Sequence, residues 1–316
     1  MKRTFVSACA GVVIVAVTTA GCTAAATDDP AGSDRRQRSG STGAAEAGGQ
    51  GRELTDAERI LVQRAEQTLV KECMEKEGFK YWIGPLPTVD ELKGGGYVLT
   101  DVGWAKRHGY GSRLRARLQD LQSSDPNHAY AGTLAQEERV RYSKTLEGGP
   151  SSGMLTAELP GGGTVRTPGR SCQVEAKEQL YGDFETWFRA EKTATNLSSL
   201  YTSALLEDKR FVRALESWSA CMRKAGHAYA DPPEIRAKLP ALTEGLSAQK
   251  AYATEVEVAV AEATCATGTP LARTARELDD EYRKKQLERY GEDVATYERM
   301  SLTALARAED ITGSTA

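Results

Sequence analysis

The sequence lacks the residues from which familiar catalytic and metal centres are assembled. It holds three histidines, His108, His128 and His227, and no two of them stand at the i, i+4 or HExxH spacing that puts two imidazoles on one helical face. No G-x-S-x-G, Walker or EF-hand loop occurs. The tetrapeptide SAQK at 247–250 matches S-x-x-K, but its S-D-N and K-T-G companions are absent, so Ser247 reads as a helix N-cap. There is no excess of cations either. The 41 Lys and Arg face 44 Asp and Glu, a net charge of -3, which gives no electrostatic reason to expect nucleic acid. After the amino terminus no segment approaches the length and hydropathy of a membrane span. Cysteines never come in close pairs, which argues against zinc. No cofactor is expected.

The amino terminus is where the long apolar run lies. MKRTFVSACAGVVIVAVTTAGC places Lys2 and Arg3 before an apolar stretch from Phe5 to Val17 and then small residues, the layout of a signal peptide over 1–21. The run is too short for a comfortable span, which takes roughly 20 apolar residues. Its ending, TTAGC, resembles a lipobox, with Cys22 receiving a diacylglyceryl group and becoming the mature amino terminus. Thr19 departs from the usual Leu, so a plain secretory signal cut near Ala20 stands as the alternative. Residues 22–52 are Ala, Gly, Ser, Thr and Asp with almost nothing large and apolar to bury, as expected of a disordered tether. A Gly/Ser-type coil of about 30 residues has an r.m.s. reach of roughly 30 Å. The expected address is the extracytoplasmic face of a cell membrane, reached through that palmitate-type anchor, or otherwise the exterior.

With Cys9 in the signal and Cys22 carrying lipid, Cys73, Cys172, Cys221 and Cys265 remain, an even number in an exported chain, which argues for disulfides. A repeat helps to choose among the three connectivities. ECMEKEGFKYW, from Glu72, and ACMRKAGHAYA, from Ala220, align without a gap: Met74 with Met222, Lys76 with Lys224, Gly78 with Gly226 and Tyr81 with Tyr229. A weaker echo lies downstream, QLYGDFETWF after Cys172 and ERYGEDVATY after Cys265; with one residue inserted, Phe184 matches Val294 and Trp187 matches Tyr297. If the halves descend from one unit, the simplest pairing lies within each half: Cys73 with Cys172 and Cys221 with Cys265.

This repeat resembles an element of uncharacterised lipoproteins and secreted proteins of Streptomyces-type actinobacteria. Many of those carry a CM...G element, a following Tyr and a more distant partner Cys behind a signal peptide and a small-residue tether. The resemblance implies a compartment and a style of fold, and no activity.

The expected fold is mainly α, a two-half, disulfide-stapled helical domain with a small β-hairpin: a first half over 53–198 and a second over 199–316. Thr55 with Glu58 forms a capping-box pattern ahead of a helix whose apolar face is Ile60, Leu61, Ala65, Leu69 and Cys73, closed by Gly78. DKRFVRALESWSACMRKAG repeats that grammar up to Gly226. Further helices are expected over 104–121, 134–146, 172–195, 247–265 and 271–308, the last with a break at Gly291. MLTAELPGGGTVRTP reads as a hairpin around a glycine triplet.

The first half is longer by an insertion, 83–168, containing Tyr97, Trp104, His108, Tyr110, His128 and Tyr130, with SDPNHAY as a loop. One reading makes these residues a binding surface, since loops on a rigid scaffold carry function. The other packs them against the helices, the commoner fate of singly spaced aromatics. The expected role is binding or interaction in the cell envelope, with an envelope protein or a cell-wall ligand as partner. The alternative is a cell-wall-active hydrolase built from dispersed carboxylates and His108 or His128.

Overall fold

Thr55 begins the first helix because its hydroxyl accepts from the Glu58 N–H while Glu58 reaches back to the Thr55 N–H, satisfying two otherwise orphaned donors. The computed structural model describes residues 51–316. The expected signal peptide, Cys9, Cys22 and the expected tether up to residue 50 lie outside the described residues. The elements run in order: α1 (Asp56–Lys76), α2 (Val89–Leu92), α3 (Val102–His108), α4 (Ser112–Ser123), α5 (Pro126–Thr133), α6 (Gln136–Glu147), β1 (Met154–Glu158), β2 (Thr164–Pro168), α7 (Cys172–Tyr181), α8 (Phe184–Thr195), α9 (Thr202–Glu207), α10 (Lys209–Lys224), α11 (Pro232–Thr243), α12 (Ala248–Gly268) and α13 (Leu271–Thr312). The fold is mainly helical, with one antiparallel hairpin in which Met154 pairs with Pro168 and Glu158 with Thr164.

The two CM elements fold alike. Each stands in the last turn of its helix, α1 or α10, with Met74 and Met222 both fully buried. Each helix ends on a left-handed glycine, Gly78 at φ 85° and Gly226 at φ 89°. The closing bonds match: Phe79 N–H donates to the Met74 carbonyl at 2.9 Å and His227 N–H to that of Met222 at 2.8 Å, while Gly78 and Gly226 donate to Glu75 and Arg223. That is a Schellman closure, and it explains the fixed Cys-to-Gly spacing. The disulfides join Cys73 to Cys172 and Cys221 to Cys265, with Cα separations of 5.5 and 5.7 Å. Their partner cysteines differ in setting. Cys172 opens α7, whereas Cys265 lies in the last turn of α12.

The chain forms two compact units, one around each disulfide. The described residues of the Cys221–Cys265 unit are 84–129 and 198–284; those of the Cys73–Cys172 unit are 51–83, 130–197 and 285–316. Their segments interleave, crossing the division at residue 198 drawn from the repeat. In the Cys221–Cys265 unit, α3, α10 and α11 pack on α12 around Trp104, Phe211, Trp218, Met222 and Ile235. In the Cys73–Cys172 unit, α7 packs on α1 and α6, with Leu69, Val70, Met74, Phe79 and Leu180 in the core and Ala304 and Ala308 of α13 joining them. A smaller cluster of Val174, Phe184, Trp187 and Phe188 underlies the hairpin.

Four expectations about elements need correction. The helix expected over 104–121 is two, because Gly109 and Gly111 take φ 59° and 80° around Tyr110. The helix expected over 172–195 is likewise split at Gly182, φ 92°, where Asp183 caps α8 by accepting from the Thr186 N–H. The expected break at Gly291 is absent, since α13 runs through it: a lone glycine costs a helix about 1 kcal/mol, which a long packed helix absorbs. SDPNHAY, read as a loop, starts α5, with Pro126 at its first position and Asp125 accepting from the Asn127 N–H. The downstream echo therefore does not mark equivalent places. Tyr297 packs beside Phe184 and Trp187 in one cluster instead of repeating Trp187 elsewhere.

Candidate functional site

The most organised polar assembly among the described residues stands in the Cys221–Cys265 unit, on α12. Ser247 caps that helix by accepting from the Lys250 N–H, the role its sequence context indicated. Along α12 the buried stripe is Glu255, Val258, Ala259, Glu262, Ala263 and Ala266, so two carboxylates seven residues apart occupy core positions of one face. Segment 97–112 is fastened to them.

Glu262 is 0% exposed. It accepts from the Leu99 N–H at 2.8 Å, the Tyr110 hydroxyl at 2.6 Å and Arg236 Nη2 at 3.2 Å. Burial pushes its pKa up, while the Arg236 charge and these donors pull it back. Burial beside that carboxylate also pushes the Tyr110 hydroxyl far above the usual phenol range. One turn pair earlier, Glu255 accepts from the Tyr110 N–H at 2.7 Å and the Ser112 N–H at 3.0 Å, and the Ser112 hydroxyl donates to its other oxygen. Helix α4 starts at Gly111, which has no side chain to cap it. Glu255 supplies the missing cap from another helix. Arg236 of α11 completes the assembly by donating to the Tyr97 carbonyl at 3.0 Å.

Of the six residues considered as a binding surface, Tyr97 and Tyr110 bond this assembly, Trp104 packs in the core beside it and His108 pairs with Asp90 nearer the surface. Trp104 is 2% exposed and donates through Nε1 to the Asp90 carbonyl at 2.8 Å; Tyr110 is 8% exposed. Tyr97 is half-buried, edge-on to Phe211 at 5.3 Å, and burial pushes its hydroxyl up to about 12. His108 Nε2 meets Asp90 Oδ2 at 2.6 Å, and Arg107 donates to the other oxygen at 2.9 Å. The Arg107 bond, aided by His108, holds the Asp90 carboxyl below its usual range. His128 is exposed. Tyr130 belongs to the other unit, edge-on to Trp82 at 5.6 Å and to Tyr142 at 5.8 Å.

Glu255, Glu262 and Arg236 were not singled out by the sequence reading. The signal was there: in AQKAYATEVEVAVAEA the two glutamates share the period of Val258 and Ala259, so they sit where apolar residues belong. Chemically the assembly is a clamp. Each carboxylate oxygen is engaged by donors of the chain itself. Among the described residues no group of three or more His, Cys, Asp or Glu could hold a metal ion, and no helix is long and apolar enough to cross a membrane. The chain is thus a mainly helical, doubly disulfide-stapled protein whose two buried glutamates, Glu255 and Glu262, fasten segment 97–112. No family model, curated protein or solved structure matches it.

Proposed function

We propose that this chain is a cell-envelope binding or interaction protein, held at the extracytoplasmic face of a membrane by a diacylglyceryl group on Cys22. The observation that carries the reading is the pair of disulfides, Cys73 with Cys172 and Cys221 with Cys265, behind a signal peptide and lipobox-like TTAGC. Such bonds persist in oxidising compartments. Binding is favoured over catalysis because the carboxylates brought inward, Glu255 and Glu262, are consumed by structural donors. The membrane through its anchor, and an envelope protein or cell-wall ligand, are the proposed partners. The actinobacterial resemblance of the repeat points to the same compartment.

The test has two arms. Cys22→Ala is expected to move the protein from the membrane fraction to the medium; retention in the membrane refutes the anchor. For the partner, photo-crosslinkers at exposed Val140 and His128 in the living cell are expected to capture an envelope component. The hydrolase alternative draws on the Asp90–His108 pair. Release of soluble fragments from peptidoglycan by the purified chain, abolished by His108→Ala, would replace the binding reading with that one.

A further inference from the structure

Helix α4 is unusual in how it is attached. None of its residues is buried. Leu114, Leu118 and Leu121 follow i, i+4, i+7 spacing and share one face; Leu114 leans on the core, while Leu118 is exposed. Helical geometry sets Arg113 and Arg117 along one side of that leucine stripe and Arg115 along the other. The attachments are polar. Glu255 caps the amino end, the Arg113 guanidinium stands 3.5 Å over the Tyr252 ring, Arg115 Nη1 donates to the Tyr110 carbonyl at 2.6 Å, and Arg117 Nη1 to Glu91 at 2.6 Å. Gly109 and Gly111, both at positive φ, precede the helix, and the turn that they make is held by Glu255. Beyond the turn that Glu255 caps, α4 buries no side chain of its own, so its later turns open at lower cost than the core helices.

The charge along this stretch is mainly of one sign. From Val102 to Ser123 there are five cations, Lys106, Arg107, Arg113, Arg115 and Arg117, against one carboxylate, Asp120 of α4. Asp90 and Glu91 pair with only two of them, Arg107 and Arg117. We propose that α4 is a releasable membrane-binding helix: an anionic phospholipid surface competes with Glu91 and Tyr252 for its arginines and takes up Leu114, Leu118 and Leu121. Leucines flanked by arginines on both sides suit the plane of a bilayer interface. Apolar side chains enter the acyl boundary there, and guanidinium groups on flexible stems reach the phosphates. The phosphate layer complements the excess positive charge. Binding through α4 shares only its setting with the lipid anchor on Cys22, and it is tested without that lipid.

The mature chain, from residue 22 on, carrying Cys22→Ser and so without signal peptide or acyl group, is mixed with vesicles of equal parts phosphatidylglycerol and phosphatidylcholine, or of phosphatidylcholine alone. Co-sedimentation with the anionic vesicles is expected at low salt, weakening about tenfold as salt shortens the screening length, with none on phosphatidylcholine. Hydrogen exchange over 112–123 is expected to change on binding while α12 stays protected. Arg113→Gln is expected to weaken binding about fivefold. Leu118→Ser with Leu121→Ser is expected to abolish it with the thermal transition unchanged. Absence of binding to anionic vesicles overturns the proposal, as does equal binding to phosphatidylcholine. So does binding that Arg113→Gln leaves unchanged, a test that stands even if the leucine variant misfolds. A soluble acidic protein captured through α4 while anionic vesicles are not bound would mean a different partner and also overturns it.

Discussion

Gly94 takes φ 85°, and a Cβ built on it would stand 2.1 Å from the Trp104 ring. Gly226 has almost the same φ, 89°, with nothing within 4 Å of its Cβ position. The two positions separate backbone strain from collision. Gly226→Ala should cost about 1 kcal/mol, the left-handed penalty alone. Gly94→Ala should cost about 3 kcal/mol, because the indole must also move out of a packed core. Urea denaturation of both variants checks the order; equal losses would show that the ring yields freely.

Glu262 gives a second prediction at this scale. Because burial raises its folded pKa, the folded chain holds the proton more tightly than the unfolded one. Its contribution to stability is therefore fully present below the ordinary glutamate value and is lost as the pH rises through the raised folded value. Glu262→Gln removes that dependence, so the variant should gain on the parent protein as pH rises; thermal melts across the acid-to-neutral range read the difference. Glu58 runs the other way. The Arg52 bond holds its carboxyl down at about 2, so the stability it lends α1 is lost as pH falls towards that value. Glu262→Ala, which orphans the Leu99 N–H and the partner charge of Arg236, should cost about 3 kcal/mol.

Among elements, α13 is the clearest surprise. It passes through Gly291, where a Cβ would meet only Leu287 Cβ at 3.9 Å, an ordinary contact, and the backbone stays helical. Gly291→Ala should therefore stabilise the protein by roughly 0.5 to 1 kcal/mol, seen as a raised thermal midpoint. A lowered midpoint would mean that the chain needs a bend there. Gly109 is the opposite case, with φ 59° and a Cβ position 2.7 Å from the Glu255 side chain. A glycine in a helical pattern permits a break without requiring one. The break forms where a cap is on hand to start the next helix: Asp183 caps one after Gly182, and Glu255 caps one after Gly111.

For the whole molecule, the disulfides join residues 99 and 44 positions apart, each within one compact unit. Chain entropy gives each bond about 4 to 5 kcal/mol, a large share of the usual stability of a domain. Cys221→Ala with Cys265→Ala should lower stability by up to that amount. Hydrogen exchange would show the loss concentrated in 84–129 and 198–284, and a loss spread evenly over the chain would mean that the two units unfold as one.

Local grammar was enough, read from the sequence, for the mainly helical class, the hairpin and the two CM helix ends, while both disulfide pairings came from the repeat. Capping, period and glycine closure act over a few residues and are written in consecutive positions. Tertiary structure alone decided that Trp104 and Tyr110 face inward, that the units interleave, and that Glu255 and Glu262 fasten a segment some 150 positions earlier. Those outcomes depend on which distant donors meet a buried carboxylate. Burying an unpaired charge is costly and burying a paired one is tolerable. That balance is struck only when the chain has brought the partners together.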